Sequence, residues 1–177
     1  VGSEMCIRDR SQEEGNRPPE NVRMTPEALL DAGLRDLGMA MQVDARARLL
    51  AFASMVERWN RTFNLTAIRD PRRIMTHHLL DSLAVVPYLP PGSMADVGSG
   101  GGFPGVPVAI AEPLRPVTLI DSNSKKTAFL RQAKIELPLD NVAIHEGRVD
   151  AWRPEALFDV VISRAFADLP QFIGACR

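Results

Sequence analysis

Two cysteines, one tyrosine and two tryptophans are all that a chain of 177 residues contains of these types, and its charges almost cancel. Cys6 and Cys176 stand at opposite ends with no metal-ligand spacing around either, which leaves no basis for a disulfide framework or a zinc site and fits a reducing compartment. With 21 basic and 22 acidic side chains and a net charge of -1, no global field draws the chain to nucleic acid or to an anionic membrane. Any such contact must come from a local patch. No run approaches the roughly 18 continuous apolar residues of a membrane span, and no signal-peptide pattern opens the chain. A cytoplasmic, soluble monomer is expected, with no membrane partner and no metal, and 45% hydrophobic residues suffice for one substantial core.

Against these absences stands one dense glycine run, Asp96-Val97-Gly98-Ser99-Gly100-Gly101-Gly102-Phe103-Pro104-Gly105. It falls where an apolar strand at 94–97 should hand over to a helix. Glycines there let the backbone take positive φ and approach a ligand with no Cβ in between. Residues 117–120 read as the next strand and lead into Asp121, close to the spacing of about 20 residues at which a carboxylate can accept both hydroxyls of a ribose. Two registers fit. Gly98-x-Gly100-x-Gly102 has a methyltransferase-like spacing, whereas Gly100-x-Gly102-x-x-Gly105 matches the dinucleotide fingerprint of a nicotinamide-dependent oxidoreductase. The first is preferred because Gly98 follows the strand directly and Asp96 adds a carboxylate beside the loop. That charge opposes a pyrophosphate and favours the sulfonium and ammonium of S-adenosylmethionine. A tight turn without a ligand is the plain alternative.

Residues 1–23 mix charges, Gly and Pro without apolar periodicity and are expected to be a disordered or non-native segment, with Met24 as the natural start. Order begins at Thr25-Pro26-Glu27, an N-cap followed by Pro at the first helical position. A helix from Asp44 puts Leu49, Phe52, Val56 and Trp59 on one face and leaves Arg46, Arg48 and Arg58 for water. Asp70-Pro71 caps a third helix through Ile74, His78, Leu79 and Val86, ended by Pro87. Residues 24–92 thus form an N-terminal helical cap. From 93 to 177 short apolar strands alternate with helices, the pattern of an α/β parallel sheet covered on both faces. Strands are expected at 94–97, 117–120, 142–145 and 160–163, the clearest helix at 125–137, and a last helix near Asp168. Four strands are fewer than doubly wound sheets usually carry, so the sheet is expected to be incomplete at the C-terminus, in a truncated domain, which leaves an inactive cofactor-binding fragment as an alternative to an enzyme.

Several segments add specificity to the loop: Trp59-Asn60-Arg61-Thr62-Phe63-Asn64-Leu65-Thr66, His78-Leu79-Leu80-Asp81-Ser82, the stretch from Asp96 to Pro107, and Ser163-Arg164-Ala165-Phe166-Ala167. With them the chain resembles, from about Met24 onward, the bacterial small-subunit ribosomal RNA guanine-N7 methyltransferases known as RsmG or GidB. The resemblance implies a class I, Rossmann-like methyltransferase that uses S-adenosylmethionine to modify N7 of a guanine in 16S ribosomal RNA, as RNA or in the small ribosomal subunit. It further implies that Gly98 and Phe103 contact the cofactor's methionine and loop side, Asp121 its ribose, and Val149 and Asp150 its adenine, with Gly100 of the glycine register a further cofactor-binding candidate. Arg164 belongs to the same site by resemblance, and Asn64 and His78 are candidate base-positioning groups.

The residues allow these roles and bland ones beside them. Asp150 follows the third strand at the carboxyl edge of the sheet, where it could accept from an adenine amino group, or it is an ordinary solvated acid. Arg164 ends the fourth strand at the same edge; its fork could hold an anion or stack on a base, or make a salt bridge to Asp96 or Asp121. His78 is a base-positioning group or a satisfied core histidine. Five arginines between Arg58 and His78 face Asp70 alone, making Arg72, Arg73 and their neighbours a candidate phosphate-facing surface. Lys125 heads a second basic cluster and Arg148 a third position, although charged helix faces are often only solvated. Phe166 could stack on an unpaired guanine or lie in the core. No nucleophile or base is named, because guanine N7 already carries an unprotonated lone pair and methyl transfer to it needs positioning.

Overall fold

The computed structural model describes residues 24–164 and 168–176, so the expectations for residues 1–23 and for Phe166 lie outside the described residues. Helix α1 (Pro26–Asp36) starts as its sequence requires, with Thr25 Oγ1 accepting from the Ala28 amide and Pro26 in the first turn. Helix α2 (Val43–Phe63) buries Leu49, Phe52, Met55 and Val56 along one stripe. Its arginines are less free than the sequence suggests: Arg46 pairs with Asp31 of α1, Arg48 with Asp44, Arg58 with Glu136 and Arg61 with Glu57. Near its end the buried Asn60 pins the following loop, donating to the Ile68 carbonyl and accepting from the Thr66 amide.

The third helix departs from the uniform rod expected as far as Val86. A short α3 (Pro71–Ile74), capped by Asp70, passes into a π-helical segment at Met75–Leu80, then α4 (Asp81–Leu83), and a 3-10 turn at Val86–Tyr88. The Thr76 hydroxyl donates to the Arg72 carbonyl and the Ser82 hydroxyl to the His78 carbonyl, competing for acceptors that an α ladder would use. Pro87 then supplies no donor to continue it.

Four parallel strands follow, β1 (Met94–Val97), β2 (Val117–Asp121), β3 (Val142–Glu146) and β4 (Val160–Ile162), in the order β3-β2-β1-β4. Each boundary lies within a residue of the sequence expectation, and the open α/β architecture is the expected one. Asp96 stands opposite Leu119 of β2 and Ile162 of β4. Met94, Val117, Leu119 and Val142 join the main core with α2, α5 (Gly105–Ala111) and α6 (Ser124–Glu136), where Phe52 and Phe129 are fully buried. The other face is covered more thinly than expected. There Ala95, Val97 and Ile120 are buried, with Trp152, Phe158 and Phe172 of α7 (Leu169–Ala175) packed partly against them. Among the described residues no helix is long and apolar enough to cross a membrane.

Candidate functional site

The carboxyl ends of β1, β2 and β3 open onto one cavity of about 180 Å³. Val97 and Ile120 form its floor, Gly98 and Asp121 one wall, and Gly147 to Asp150 the other. The loop after β1 folds back on β2, with the Gly98 and Ser99 amides both donating to the Ile120 carbonyl at 2.8 and 3.0 Å. Gly98, Gly100 and Gly102 all take positive φ (74°, 56° and 86°), which explains the alternate glycines of the first register. Gly98 is exposed, with open space where a side chain would stand. A ligand can therefore lie directly against this backbone.

Asp121 is buried and ties two loops together: Oδ2 accepts from the Gly100 amide at 2.9 Å and Oδ1 from the Asn123 amide at 2.8 Å. Each oxygen keeps a lone pair for a hydroxyl of a bound sugar. Across the cavity Val149 and Asp150 open a 3-10 turn, and Arg148 grips Asp150 with Nε to Oδ1 at 3.0 Å and Nη2 to Oδ2 at 2.6 Å. That guanidinium holds the Asp150 carboxyl below the usual carboxylate range. Arg148, expected as an RNA contact, and Asp150, expected at the adenine, thus share one forked pair on the rim. The cavity is smaller than the roughly 300–1,000 Å³ of sites that enclose a whole drug-sized ligand.

The far half of the loop is packed under the site. Asp96 is completely buried, with Oδ2 accepting from the Gly105 amide at 2.9 Å and Oδ1 without a partner among the described residues. Burial pushes its carboxyl up to about 7. This corrects the sequence reading of a charge beside the loop: the carboxyl is buried in the protein, where desolvation favours its neutral form, and does not line the cavity. Phe103 is also buried, its ring stacked on His78 at 4.8 Å and tilted against Phe52 at 5.1 Å. His78 Nε2 lies 2.6 Å from Thr66 Oγ1, and burial first, then the nearby Arg164 charge, lower its pKa to about 4. The imidazole is neutral at pH 7. Neither ring lines the cavity.

Arg164 reaches from the end of β4 over the Phe103 ring, its guanidinium carbon 5.3 Å from the centroid. Its ion-pair partner is neither Asp96 nor Asp121, as the sequence reading allowed, but Asp81 at 3.7 Å. An ion pair spanning so much chain leaves no sequence signal. Gly147 and Ser122 also escaped the sequence reading, although each follows a strand at the same edge as Gly98, which was the available clue.

Around this edge the basic candidates separate. Asn64, the exposed left-handed cap of α2 (φ 49°), accepts from Arg69 at 2.9 Å. Arg72 and Arg73 are exposed and make no ion pair among the described residues, whereas Arg58 and Arg61 pair with Glu136 and Glu57. Lys125 is exposed in the first turn of α6, its amide capped by Asn123. Lys126 beside it comes close to Gly100, and Leu65 packs on Gly101, so the two basic segments flank the glycine loop.

Comparison with known proteins adds an independent observation. The family described as rRNA small subunit methyltransferase G matches residues 45–177. A protein of Methylobacillus flagellatus named ribosomal RNA small subunit methyltransferase G is 48% identical over 148 residues, 84% of this chain and 72% of the relative. Proteins of the same name from Pseudomonas aeruginosa and Aromatoleum aromaticum are 50% and 51% identical over 149 and 152 residues. These alignments cover 84% and 83% of this chain and 70% and 72% of the two relatives.

Proposed function

The chain belongs to the rRNA small subunit methyltransferase G family, and on that premise we propose that it methylates N7 of a guanine in 16S ribosomal RNA with S-adenosylmethionine as donor. The observation that carries the reading is the meeting of Gly98, Asp121 and the 147–150 turn around one cavity at the carboxyl edge of a parallel sheet. Strand order supports an order of ligand parts. The adenine lies by Val149 and Asp150 after β3, the ribose on Asp121 after β2, and the methionine over Gly98 and Gly100 after β1. The accepting base then lies toward β4 and Arg164. Residues 24–92 act as a helical cap beside this edge, and residues from 93 onward hold the cofactor.

When bound, S-adenosylmethionine supplies a methyl group on a sulfonium. No residue need remove a proton, since guanine N7 presents a lone pair at neutral pH. The task of the chain is alignment: the glycine loop sets the donor, and the helical segments hold the acceptor in line with it. Phe103 and His78 serve this role from below by fixing the loop against the N-terminal helices. Arg69, Arg72, Arg73, Lys125 and Lys126 flank the opening and suit the phosphates of a folded RNA, giving binding that weakens steeply with salt. The oxidoreductase alternative has no support from the family to which the chain belongs.

Calorimetric titration with S-adenosylmethionine and separately with NAD tests the cofactor. Saturable binding of the first alone is expected, weakened in Asp121→Asn, which keeps a hydrogen-bond acceptor for Gly100 but loses the carboxylate. Small subunits from a strain lacking the modification should then accept a methyl group at a guanine N7. Binding of NAD alone, or cofactor binding with no transfer to such subunits, would sink the reading.

A further inference from the structure

Neither the core nor the cofactor cavity accounts for the Arg164–Asp81 pair. It lies at the end of β4, next to β1 in the sheet, with the Arg164 guanidinium over the Phe103 ring and neither partner among the residues that line the cavity. As a structural bridge it is poor: the charges are 3.7 Å apart, with the two side chains 32% and 59% exposed, and pairs of this kind add little stability. Yet the surroundings are arranged. The π-helical segment ends immediately before Asp81, and the His77 carbonyl within it accepts from Arg164 Nη1 at 3.4 Å. Four buried side-chain polar atoms lack a partner among the described residues, and three belong to this neighbourhood: Asp96 Oδ1, His78 Nδ1 and Ser163 Oγ. These three atoms lie beneath the surface, and the polar groups that a guest can reach at this edge are the partly exposed Arg164 and Asp81.

We propose that Arg164 and Asp81 read the Watson–Crick edge of the accepting guanine, Asp81 accepting from N1–H and the 2-amino group while Arg164 donates to O6. The inference rests on the methyltransferase reading above. Among the four RNA bases only guanine presents acceptor, donor, donor in that order along this edge, so a guanidinium beside a carboxylate selects it. Reading this edge leaves N7 uncovered. A second consequence is electrostatic. In the transfer the carbon–sulfur bond breaks with its electron pair left on sulfur, the N7 lone pair forms the new bond, and positive charge passes to the purine without any proton moving. A carboxylate against N1–H favours that cation.

The test compares single-turnover methylation of small subunits carrying guanosine or inosine at the accepting position, inosine lacking only the 2-amino group. The unaltered chain should act about tenfold more slowly on inosine, the loss expected for one base contact. Asp81→Ala, which removes the acceptor altogether, should be slower on guanosine by at least a similar factor and should no longer distinguish the two nucleotides, with S-adenosylmethionine affinity unchanged by calorimetry. Arg164→Lys should also slow transfer to both substrates. If Asp81→Ala retains the guanosine preference, whatever its overall rate, the assignment is wrong. A loss of cofactor affinity in that variant would instead put Asp81 in the cofactor site and overturn the assignment equally. Failure of the unaltered chain on guanosine subunits would strike the methyltransferase reading itself, a distinguishable result.

Discussion

The two halves of the glycine loop share a composition and differ in almost everything else. Gly98 lies open to the cavity, with positive φ and nothing near the place of a side chain. Gly105, at the other end, is buried, and a Cβ there would meet Leu119 Cδ2 at 2.3 Å and Asp96 Oδ2 at 2.7 Å. Between them Phe103 is wedged among His78, Phe52 and Arg164. One half uses glycine for backbone conformation and ligand approach, the other for close packing of a helix on the sheet. The loop can be exposed on one side because it is anchored on the other.

The comparison breaks most readily at Phe103. Phe103→Ala should lower unfolding free energy in urea by about 3–5 kcal/mol, the usual cost of emptying a large aromatic site. A midpoint unchanged from that of the unaltered chain would show that the second half is no anchor. Gly105→Ala overfills the same region and should cost about 1–3 kcal/mol, read as a lower thermal midpoint. Gly98→Ala sharpens the contrast from the cavity side. Its stability loss should be about 1–2 kcal/mol, from the left-handed backbone alone. Its affinity for S-adenosylmethionine should fall by about tenfold, equivalent to about 1.4 kcal/mol.

The smallest effect concerns pH. Asp96, raised from 3.8 to about 7 by burial, binds its proton more tightly in the folded chain, so its contribution to stability is full below about pH 4 and is lost as pH rises to about 7. His78, lowered from 6.5 to about 4, acts oppositely: its contribution is present above about pH 6.5 and lost on acidification toward 4. The two offset each other across one window. Asp96→Asn removes one of them, and its thermal midpoint should fall more steeply between pH 7 and 4 than that of the unaltered chain. Parallel profiles would remove Asp96 from the account.

Much of this site could be read before any fold was known, and the exceptions have a common cause. Thr25 and Asp70 cap their helices as their neighbours in sequence require, and the Glu57–Arg61 pair is visible at i, i+4 spacing. Arg58 looks equally free until α6 brings Glu136 to it. The basic surplus between Arg58 and His78 is therefore smaller than its formal charge, and falls to Arg69, Arg72 and Arg73. The third helix misleads for a subtler reason. Its apolar spacing is helical throughout, but hydroxyl bonds from Thr76 and Ser82 to carbonyls one turn earlier divert it into a π segment, and periodicity does not register a change of ladder.

The sequence by itself determined the strand order of appearance, the helix caps, the register of the glycines and the carboxylate that follows them, because each depends on chain geometry over a few residues or on a fixed strand-to-strand spacing. Only the tertiary structure decided that Asp96 is buried rather than exposed beside the glycine loop, and that Arg164 finds Asp81. Charge state and pairing depend on solvent exclusion and on groups brought together across the sheet edge, and these exist only once the chain has packed.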